Sequence, residues 1–373
     1  MKVLQILYSG LGGHGSVALS LAAAADESGD WVNSLVFLGI EPLLPEYAKQ
    51  CRLRGIAFEY VATRQGQPWW SWWNLYHVLD AHQPDAIVLH SVKAIIPCYL
   101  YARRRGIPLV AVEHQPNELK QPAEWWVSCL LMRFADAVVV LTTDYRDELA
   151  RRLGVAFRAA KIHLIPNGID TRAFAPQRAK PRSIDRPICV GMAARFSNRK
   201  RQELLIGAIE ILQERDGPGS WQLSLAGEGE TRAALQESVS GRHPKQPVSF
   251  PGYLAEQELQ VWFAGLDIYA HASDGETLST SLLQAMAMGL PIVGSDVPGI
   301  ANLLSAEEKV GLVASEQSAQ GFADALSEAV ASWKSASHLG CLARVKVERE
   351  FSQIAMFASY QKVIDACVVA RSA

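Results

Sequence analysis

Short apolar runs alternate with longer amphipathic segments along almost the whole chain, and this alternation limits the possible folds more than any other feature. Apolar runs of about four to eight residues are typical of buried parallel strands, and an apolar period of about 3.6 residues is typical of helices packed on them. Because the alternation occurs twice, we predict two doubly wound parallel sheets, each covered by helices on both faces. The predicted strands are 3–8, 33–38, 86–90, 109–113, 137–141 and 163–165, and then 188–192, 222–226, 268–271 and 291–295.

A polar, proline-rich stretch between residues 174 and 187 separates the two series of strands. It has no apolar period, and its composition is typical of a linker. We therefore predict an N-terminal domain over residues 1–177 and a C-terminal domain over residues 186–350, followed by a helical segment at 351–373. Open parallel sheets bind ligands beyond the carboxyl ends of their strands, so we expect the site in a cleft between the domains.

Composition excludes several classes of protein. The chain has 36 Lys and Arg against 38 Asp and Glu, a formal charge of −2, which gives no basic field for a nucleic acid. Its 6 cysteines lie far apart without a C-x-x-C pair, as is typical of reduced thiols in the cytoplasm. We see neither a signal-peptide pattern nor an apolar run of about 18 residues, so we expect a cytoplasmic protein without a membrane span.

A glycine-rich segment at residues 10–15 follows the first predicted strand and matches G-x-G-x-x-G. Glycines in such a turn let backbone N–H groups approach a phosphate at the start of a helix. The pattern also occurs in dinucleotide-binding proteins, in which an acidic residue after the second strand binds a ribose hydroxyl, and Glu41 is a candidate for that role. One alternative function is therefore an NAD-type dinucleotide-binding oxidoreductase.

The C-terminal domain combines a cationic pair with a polar helix start. Arg195 and Lys200 follow the first strand of the second series and can converge on an anionic group. A helix predicted over residues 278–289 directs its first N–H groups toward the carboxyl ends of the strands. Glu276 and Gln284 are eight residues apart, so we expect them on one helical face, with one near sugar hydroxyls and the other near a ribose.

The order and spacing of these segments resemble those of retaining glycosyltransferases of family 4. The resemblance covers nearly the whole chain, and it implies the GT-B fold: two Rossmann-like domains that face each other across a cleft, with the C-terminal helix 351–373 packed back on the first domain. The residues that carry it are the glycine loop, His114, 135–142, 165–170, Arg195 with Lys200, 227–229, 251–253, 276–293 and 296–300.

The resemblance also implies an activity. A hexose-type sugar passes from a nucleoside-diphosphate sugar to an acceptor hydroxyl with retention of the anomeric configuration. The expected acceptor is a lipid-linked saccharide or a precursor of a cell-surface polysaccharide or lipopolysaccharide. No metal and no cofactor are expected besides the substrate, with UDP mildly preferred over GDP as the nucleotide.

Site residues follow from the same resemblance. His114 binds the transferred sugar, Glu276 holds sugar hydroxyls, and Arg195 and Lys200 neutralise the diphosphate; these four are the predicted catalytic residues. The remaining donor-binding residues lie in glycine turns, after a strand or in and near the helix start: Gly12, Gly13, Gly227, Gly229, Tyr253, Thr277, Leu278, Ser279 and Gln284.

Two positions depart from the family pattern. The family has Glu, seven residues and a second Glu at the helix start, whereas this chain has Gln284 at the second position, and Asn302 stands where a Glu is usual. An amide still forms hydrogen bonds with a ribose but loses the charge-assisted strength. The departures leave open a non-catalytic homologue that acts as a partner subunit.

The N-terminal domain has two tryptophan-rich segments. Four tryptophans within five residues cannot all face inward from one helix, so we expect an exposed patch, with core packing as the alternative. Tryptophan suits a membrane interface because its ring is apolar and its N–H is polar. We therefore predict peripheral contact with the inner face of the cytoplasmic membrane. The residues concerned are Trp69, Trp70, Trp72, Trp73, Trp125 and Trp126.

Overall fold

The computed structural model of the chain describes residues 1–10, 13–64, 66–114, 120–176, 186–240, 247–305 and 308–372. The chain forms two compact units. The first unit contains Met1–Ile169 and Phe351–Ala373, and the second contains Asp170–Glu350. Each unit is built on one parallel sheet, and within the described ranges no helix is both long enough and apolar enough to cross a bilayer.

In the first unit, the described residues form a sheet of seven parallel strands in the order β3-β2-β1-β4-β5-β6-β7. The strands are β1 (Lys2–Tyr8), β2 (Val32–Gly39), β3 (Ala57–Ala62), β4 (Ala86–Leu89), β5 (Leu109–Glu113), β6 (Ala137–Val140) and β7 (Ile162–Leu164). The helices are α1 (Gly13–Ser28), α2 (Pro45–Leu53), α3 (Trp72–His82), α4 (Ile95–Arg105), α5 (Pro122–Phe134) and α6 (Thr143–Leu153). Every residue of β4, β5 and β6 is buried, which explains why all of them are apolar except Glu113 at the end of β5.

In the second unit, the described residues form a sheet of six parallel strands in the order β10-β9-β8-β11-β12-β13. The strands are β8 (Ile188–Ala193), β9 (Trp221–Ala226), β10 (Val248–Gly252), β11 (Ile268–His271), β12 (Ile292–Gly294) and β13 (Leu312–Val313). The helices are α7 (Gln202–Asp216), α8 (Arg232–Ser240), α9 (Glu256–Ala264), α10 (Thr280–Ala287), α11 (Pro298–Ser305), α12 (Ala319–Ala331) and α13 (Trp333–Glu350).

The last helix, α14 (Gln353–Ser372), packs on the sheet of the first unit. Phe357 and Tyr360 lie in the same apolar cluster as Val3 and Val88 of the sheet. The rings of Phe357 and Trp31 meet edge to face, with ring centroids 4.8 Å apart. The end of the chain is therefore part of the hydrophobic core around the strand that begins the chain.

The predicted fold class is confirmed, and each of the ten predicted strands corresponds to a strand of the structure. Three further strands were missed, namely β3, β10 and β13. All three are edge strands. β3 and β10 each have a single buried residue, and β13 has two residues in all. An edge strand carries a weaker apolar signal than a central strand because one of its faces meets solvent.

Candidate functional site

Three ionisable side chains meet at the carboxyl ends of β8 and β11. Lys200 Nζ forms an ion pair with Glu276 Oε1, and His271 Nε2 lies 2.8 Å from the same oxygen. Lys200 lies in the loop after β8, His271 is the completely buried last residue of β11, and Glu276 lies in the loop that precedes α10. The structure therefore brings together two predicted catalytic residues, Lys200 and Glu276, and adds His271.

The surroundings of this cluster determine its charges. Burial, and then the nearby Arg199, lower the pKa of Lys200 to about 8. Burial, and then the charge of Lys200, lower the pKa of His271 well below its usual value. At neutral pH the lysine is therefore mostly charged and the histidine neutral, because both burial and a neighbouring cation disfavour a second positive charge.

The loop with Glu276 leads into the N-terminus of α10. Ser279 caps this helix, since its Oγ accepts a hydrogen bond from Leu282 N–H at 3.4 Å. Thr277 and Leu278 are buried in the loop just before the cap. The first N–H groups of a helix have no intrahelical acceptor, and the helix dipole favours an anion there. This end of α10 therefore suits a phosphate. Because Leu278 precedes the cap, the predicted phosphate contacts of the Leu278 and Ser279 N–H groups stay predictions.

The predicted geometry of Glu276 and Gln284 is wrong. Only Gln284 is helical, because the Ser279 cap begins α10 at Thr280 and leaves Glu276 in the loop. The two side chains therefore do not share a helical face. Gln284 is half-buried in the second turn of α10, and its ribose contact stays a prediction.

A glycine of the next helix supports the loop. A Cβ on Gly299, in the first turn of α11, would lie 1.9 Å from Glu276 O and 2.9 Å from Thr277 O. Any side chain at this position would push the loop away from α11. The backbone position of Glu276 thus depends on a residue without a side chain.

Further cationic and polar groups lie in the two loops that carry the ion pair. Arg195, in the same loop as Lys200, has an exposed side chain. Within the part of the chain that the structure describes, Arg199 Nη1 and Thr277 Oγ1 are buried without a hydrogen-bond partner. Buried polar atoms are nearly always paired, so these two atoms are candidates to contact a polar ligand. Arg199 is not among the predicted site residues, although it directly precedes Lys200.

The predicted base-pocket residues lie at the same end of the sheet. A Cβ on Gly227 would lie 2.0 Å from Ala194 O, and one on Gly229 would lie 2.1 Å from Phe196 O. These glycines therefore allow the turn after β9 to pack against the loop after β8. Tyr253 directly follows the neighbouring strand β10, and 40% of its surface is exposed.

In the first unit, His114 is part of a chain of polar contacts that reaches the interior of the sheet. His114 Nε2 lies 2.9 Å from His90 Nδ1, and the two rings stack with centroids 5.2 Å apart. His90 Nε2 lies 3.0 Å from Oε1 of Gln5, which is completely buried in β1. His90 and Gln5 are not among the predicted site residues, although a glutamine inside an apolar strand is an available signal.

The glycine-rich segment is described in part. Gly13 is the first residue of α1, whereas Gly12 lies outside the described residues. A Cβ on Gly10 would lie 2.1 Å from Glu41 Oε2, so the acidic side chain is next to the start of the loop. His114 belongs to the first unit and Glu276 to the second, and their approach across a cleft stays a prediction.

Two family models match most of the chain. Residues 11–173 match the model described as Glycosyltransferase Family 4, and residues 187–332 match the model described as Glycosyl transferases group 1. The chain belongs to this glycosyltransferase family. The resemblance stated from the sequence is thereby confirmed, and membership of this family argues against the oxidoreductase alternative.

Known proteins are similar to this chain over part or all of its length. A GDP-mannose-dependent alpha-mannosyltransferase of Mycobacterium tuberculosis is 26% identical over 249 residues, which are 62% of this chain and 61% of the relative. The amylovoran biosynthesis glycosyltransferase AmsK of Erwinia amylovora is 27% identical, covering 56% of this chain and 51% of the relative. The match thus spans between half and three-fifths of the length of these relatives.

Solved structures establish the GT-B fold. The crystal structure of Anabaena HepE in complex with UDP and glucose matches with a TM-score of 0.80. That match covers 98% of this chain and 100% of HepE at 18% sequence identity.

Proposed function

We propose that this chain transfers a hexose-type sugar from a nucleoside-diphosphate sugar to an acceptor hydroxyl, with retention of the anomeric configuration. The observation that carries the proposal is the cluster of Lys200, Glu276 and His271 beside the N-terminus of α10. It places a cation, a carboxylate and free helix amides at one end of a parallel sheet, where such sheets bind nucleotides. Membership of the glycosyltransferase family supports the same activity.

In this proposal the diphosphate of the donor lies between the cationic loop and α10. Arg195 and Lys200 neutralise it, and the N–H groups of Leu278 and Ser279 donate hydrogen bonds to it. Negative charge grows on the diphosphate as the glycosidic bond breaks, so these groups stabilise the transition state more than the bound donor. Because the protein itself supplies this positive charge, we expect turnover to continue in the presence of EDTA.

The sugar and the nucleoside occupy the two sides of the diphosphate. Glu276 accepts hydrogen bonds from the sugar hydroxyls, and His114 binds the sugar from the first unit. Gly227, Gly229 and Tyr253 form the base pocket, and Gln284 binds the ribose. Gln284 stands where the family has a glutamate, and its amide lacks the full charge of a carboxylate. This difference weakens ribose binding more than sugar positioning.

We propose a front-face reaction. The bond between the anomeric carbon and the diphosphate oxygen breaks, and the acceptor oxygen forms a bond to the same face of that carbon. The proton of the acceptor hydroxyl passes to the leaving diphosphate. No carboxylate of the protein acts as a nucleophile in this scheme.

Among the relatives, the mycobacterial protein is named for GDP-mannose and the Anabaena structure contains UDP, so both bases are reasonable donors. We retain a mild preference for UDP. The AmsK relative is named for the biosynthesis of amylovoran, which supports a saccharide acceptor in polysaccharide synthesis. We propose a lipid-linked saccharide, used by a cytoplasmic protein at the inner face of the cytoplasmic membrane.

A two-step experiment tests the activity. A thermal-shift screen with UDP, GDP, their sugar conjugates and nicotinamide cofactors identifies the ligand, because a ligand that binds the folded state raises the Tm. Release of nucleoside diphosphate is then measured with candidate acceptors, and NMR of the product reports the anomeric configuration. Binding of a nucleotide sugar with turnover and retention is expected. Inversion contradicts the front-face route, and binding without turnover supports the partner-subunit alternative.

The membrane proposal is supported by the exposure of the tryptophans. Trp69, Trp70, Trp73 and Trp126 are between 51% and 71% exposed, whereas Trp72 and Trp125 are half-buried. The expectation of exposed aromatic residues is thus correct for four of the six. The Arg64 guanidinium lies 3.4 Å from the centre of the Trp70 ring, so a cation accompanies the aromatic residues. Tryptophan with arginine suits the interface of an anionic bilayer.

Liposome flotation tests this contact. The wild-type protein is expected to float with vesicles that contain anionic lipid, and a variant with Trp69, Trp70 and Trp73 replaced by Ala is expected to stay in the dense fraction. Val155→Ser is the matched control, since Val155 is exposed in the same unit but outside the tryptophan segments. Failure of the wild-type protein to bind vesicles removes the membrane proposal without affecting the proposed reaction.

A further inference from the structure

A continuous chain of polar contacts runs from Glu276 into the interior of the second unit. His271 Nε2 lies 2.8 Å from Glu276 Oε1, and His271 Nδ1 lies 3.0 Å from Tyr269 Oη. Tyr269 Oη lies 3.0 Å from Ser281 Oγ, which lies 3.2 Å from Ser279 Oγ. Because Ser279 caps α10, the chain connects the carboxylate to the N-terminus of the helix.

The partners at each end determine the protonation of His271. Glu276 Oε1 is paired with the Lys200 ammonium group, so it is an acceptor and His271 Nε2 must carry the hydrogen. A neutral imidazole then has an unprotonated Nδ1, which needs a donor, and the Tyr269 hydroxyl lies 3.0 Å away. Tyr269 has one hydroxyl hydrogen, so when it donates to Nδ1 the Ser281 hydroxyl donates to Tyr269 Oη. Tyr269 Oη lies closer to Nδ1 than to Ala193 O, which is 3.3 Å away.

Packing alone does not account for this histidine. His271 is completely buried at the end of a strand whose other positions are also buried. An imidazole in the interior costs free energy unless both nitrogens form hydrogen bonds, whereas an apolar residue has no such requirement. Here both nitrogens have partners, and one of them is the carboxylate of the candidate site.

We propose that His271 is a positioning residue: its Nε2–H, oriented by Tyr269, holds the Glu276 carboxylate in place for the donor sugar. The inference rests on the proposed function. In the structure Glu276 Oε1 is bound by both Lys200 and His271. When Lys200 binds the diphosphate of the donor, His271 keeps its hydrogen bond to Glu276. The carboxylate therefore stays oriented after its ion pair with the lysine has weakened.

The test compares two substitutions at His271. His271→Leu removes the donor group, and His271→Gln places an amide N–H near the position of Nε2. For the leucine variant we expect kcat to fall about 10- to 100-fold, because a misplaced contact group costs rate even when the ligand still binds. The affinity for UDP, measured by calorimetry, stays within twofold. His271→Gln recovers most of the lost kcat.

A matched control separates positioning from stability. Ile268→Val removes one methylene from a buried residue of the same strand, on the opposite side from His271. It is expected to lower the Tm and leave kcat unchanged. The proposal is overturned if His271→Leu retains the wild-type kcat, if His271→Gln gives no recovery, or if UDP affinity falls in parallel with kcat.

A measurement on the ligand-free protein keeps this test separate from the proposed function. Proton–nitrogen NMR of ¹⁵N-histidine-labelled protein at neutral pH, assigned with the His271→Gln variant, reports which ring nitrogen carries the hydrogen. We expect hydrogen on Nε2 and a bare Nδ1. A hydrogen on Nδ1 contradicts the positioning role. A wild-type protein that binds no nucleotide sugar contradicts the proposed function instead.

Discussion

The Lys200 side chain is largely buried and has both a carboxylate partner and a neighbouring guanidinium charge. Glu276 pairs with it, while burial, and then Arg199, lower its pKa to about 8. The side chain is therefore charged at neutral pH but close to losing its proton. A cation in such a site interacts strongly with a diphosphate because little water screens it.

We expect Lys200→Ala to reduce kcat about 10²- to 10³-fold, since it removes a charge that stabilises the leaving diphosphate. Release of nucleoside diphosphate measures the rate, and thermal denaturation shows whether the variant is folded. Lys334→Ala, which removes an exposed lysine of α13, is the control and should leave both unchanged. A Lys200→Ala variant with a near-normal rate contradicts the proposed position of the diphosphate.

The pKa of Lys200 also predicts a pH dependence. The charged form binds the diphosphate, so kcat/KM for the donor should fall as the pH rises through about 8. In a Lys200→Arg variant the guanidinium keeps its charge, and the fall should move to higher pH. Profiles from pH 6 to pH 10 measure both enzymes. If kcat/KM of Lys200→Arg falls at the same pH as that of the wild type, the fall is caused by another ionisable group and the prediction is wrong.

At the scale of elements, one loop and the start of α10 form a single functional unit. The loop that contains Glu276 rests on the backbone of α11 at Gly299, and its far end is fixed by the Ser279 cap. The backbone position of the loop thus depends on α11, whereas its capped end belongs to α10. Displacement of the loop should therefore affect sugar and phosphate contacts together.

Gly299→Ala tests this support. The new Cβ would meet the backbone of the loop at 1.9 Å, so we expect a loss of about 1–3 kcal/mol in the free energy of unfolding and a lower kcat. Denaturant unfolding and the release assay measure the two effects. Gly265→Ala is the matched control, because the nearest contact of its Cβ is 3.3 Å away and its φ of −84° suits alanine. Equal free energies of unfolding and equal kcat values for the two variants contradict the proposal that Gly299 supports the loop.

At the scale of the whole molecule, the first half of α14 packs in the core of the unit that contains β1. Tyr360 of α14 is 1% exposed and packs in the cluster that contains Val3 and Ala86. Gly168 N–H lies 3.1 Å from Met356 Sδ, so the end of the first series of strands also meets the start of this helix. Folding of the first unit therefore requires residues from both ends of the chain.

We expect Tyr360→Ala to destabilise the protein by about 3–5 kcal/mol, because removal of the large buried ring leaves a cavity in the core. Thermal and urea unfolding measure the loss. Lys362→Ala, at an exposed position of the same helix, should change the free energy of unfolding by less than about 0.5 kcal/mol. Similar stabilities of the two variants contradict the assignment of α14 to this core.

Much of the fold was predictable because its signal is local. Fully buried strands such as β6 favour continuous apolar sequence, and the helices between them require an apolar period. The same local logic identified Lys200 and Glu276, which lie in loops after buried strands. The prediction that Glu276 and Gln284 share a helical face was wrong, since the Ser279 cap and not the apolar pattern fixes where α10 begins.

The amino-acid sequence by itself determined the two parallel sheets, the strand ends that carry polar residues, and the family resemblance. The tertiary structure decided which polar groups touch: His271 with Glu276, and His90 with both His114 and Gln5. His90 and Gln5 are 85 residues apart in the chain. Hydrogen bonds between such distant segments leave no periodic pattern in the sequence, because they depend on strand order and not on neighbouring residues.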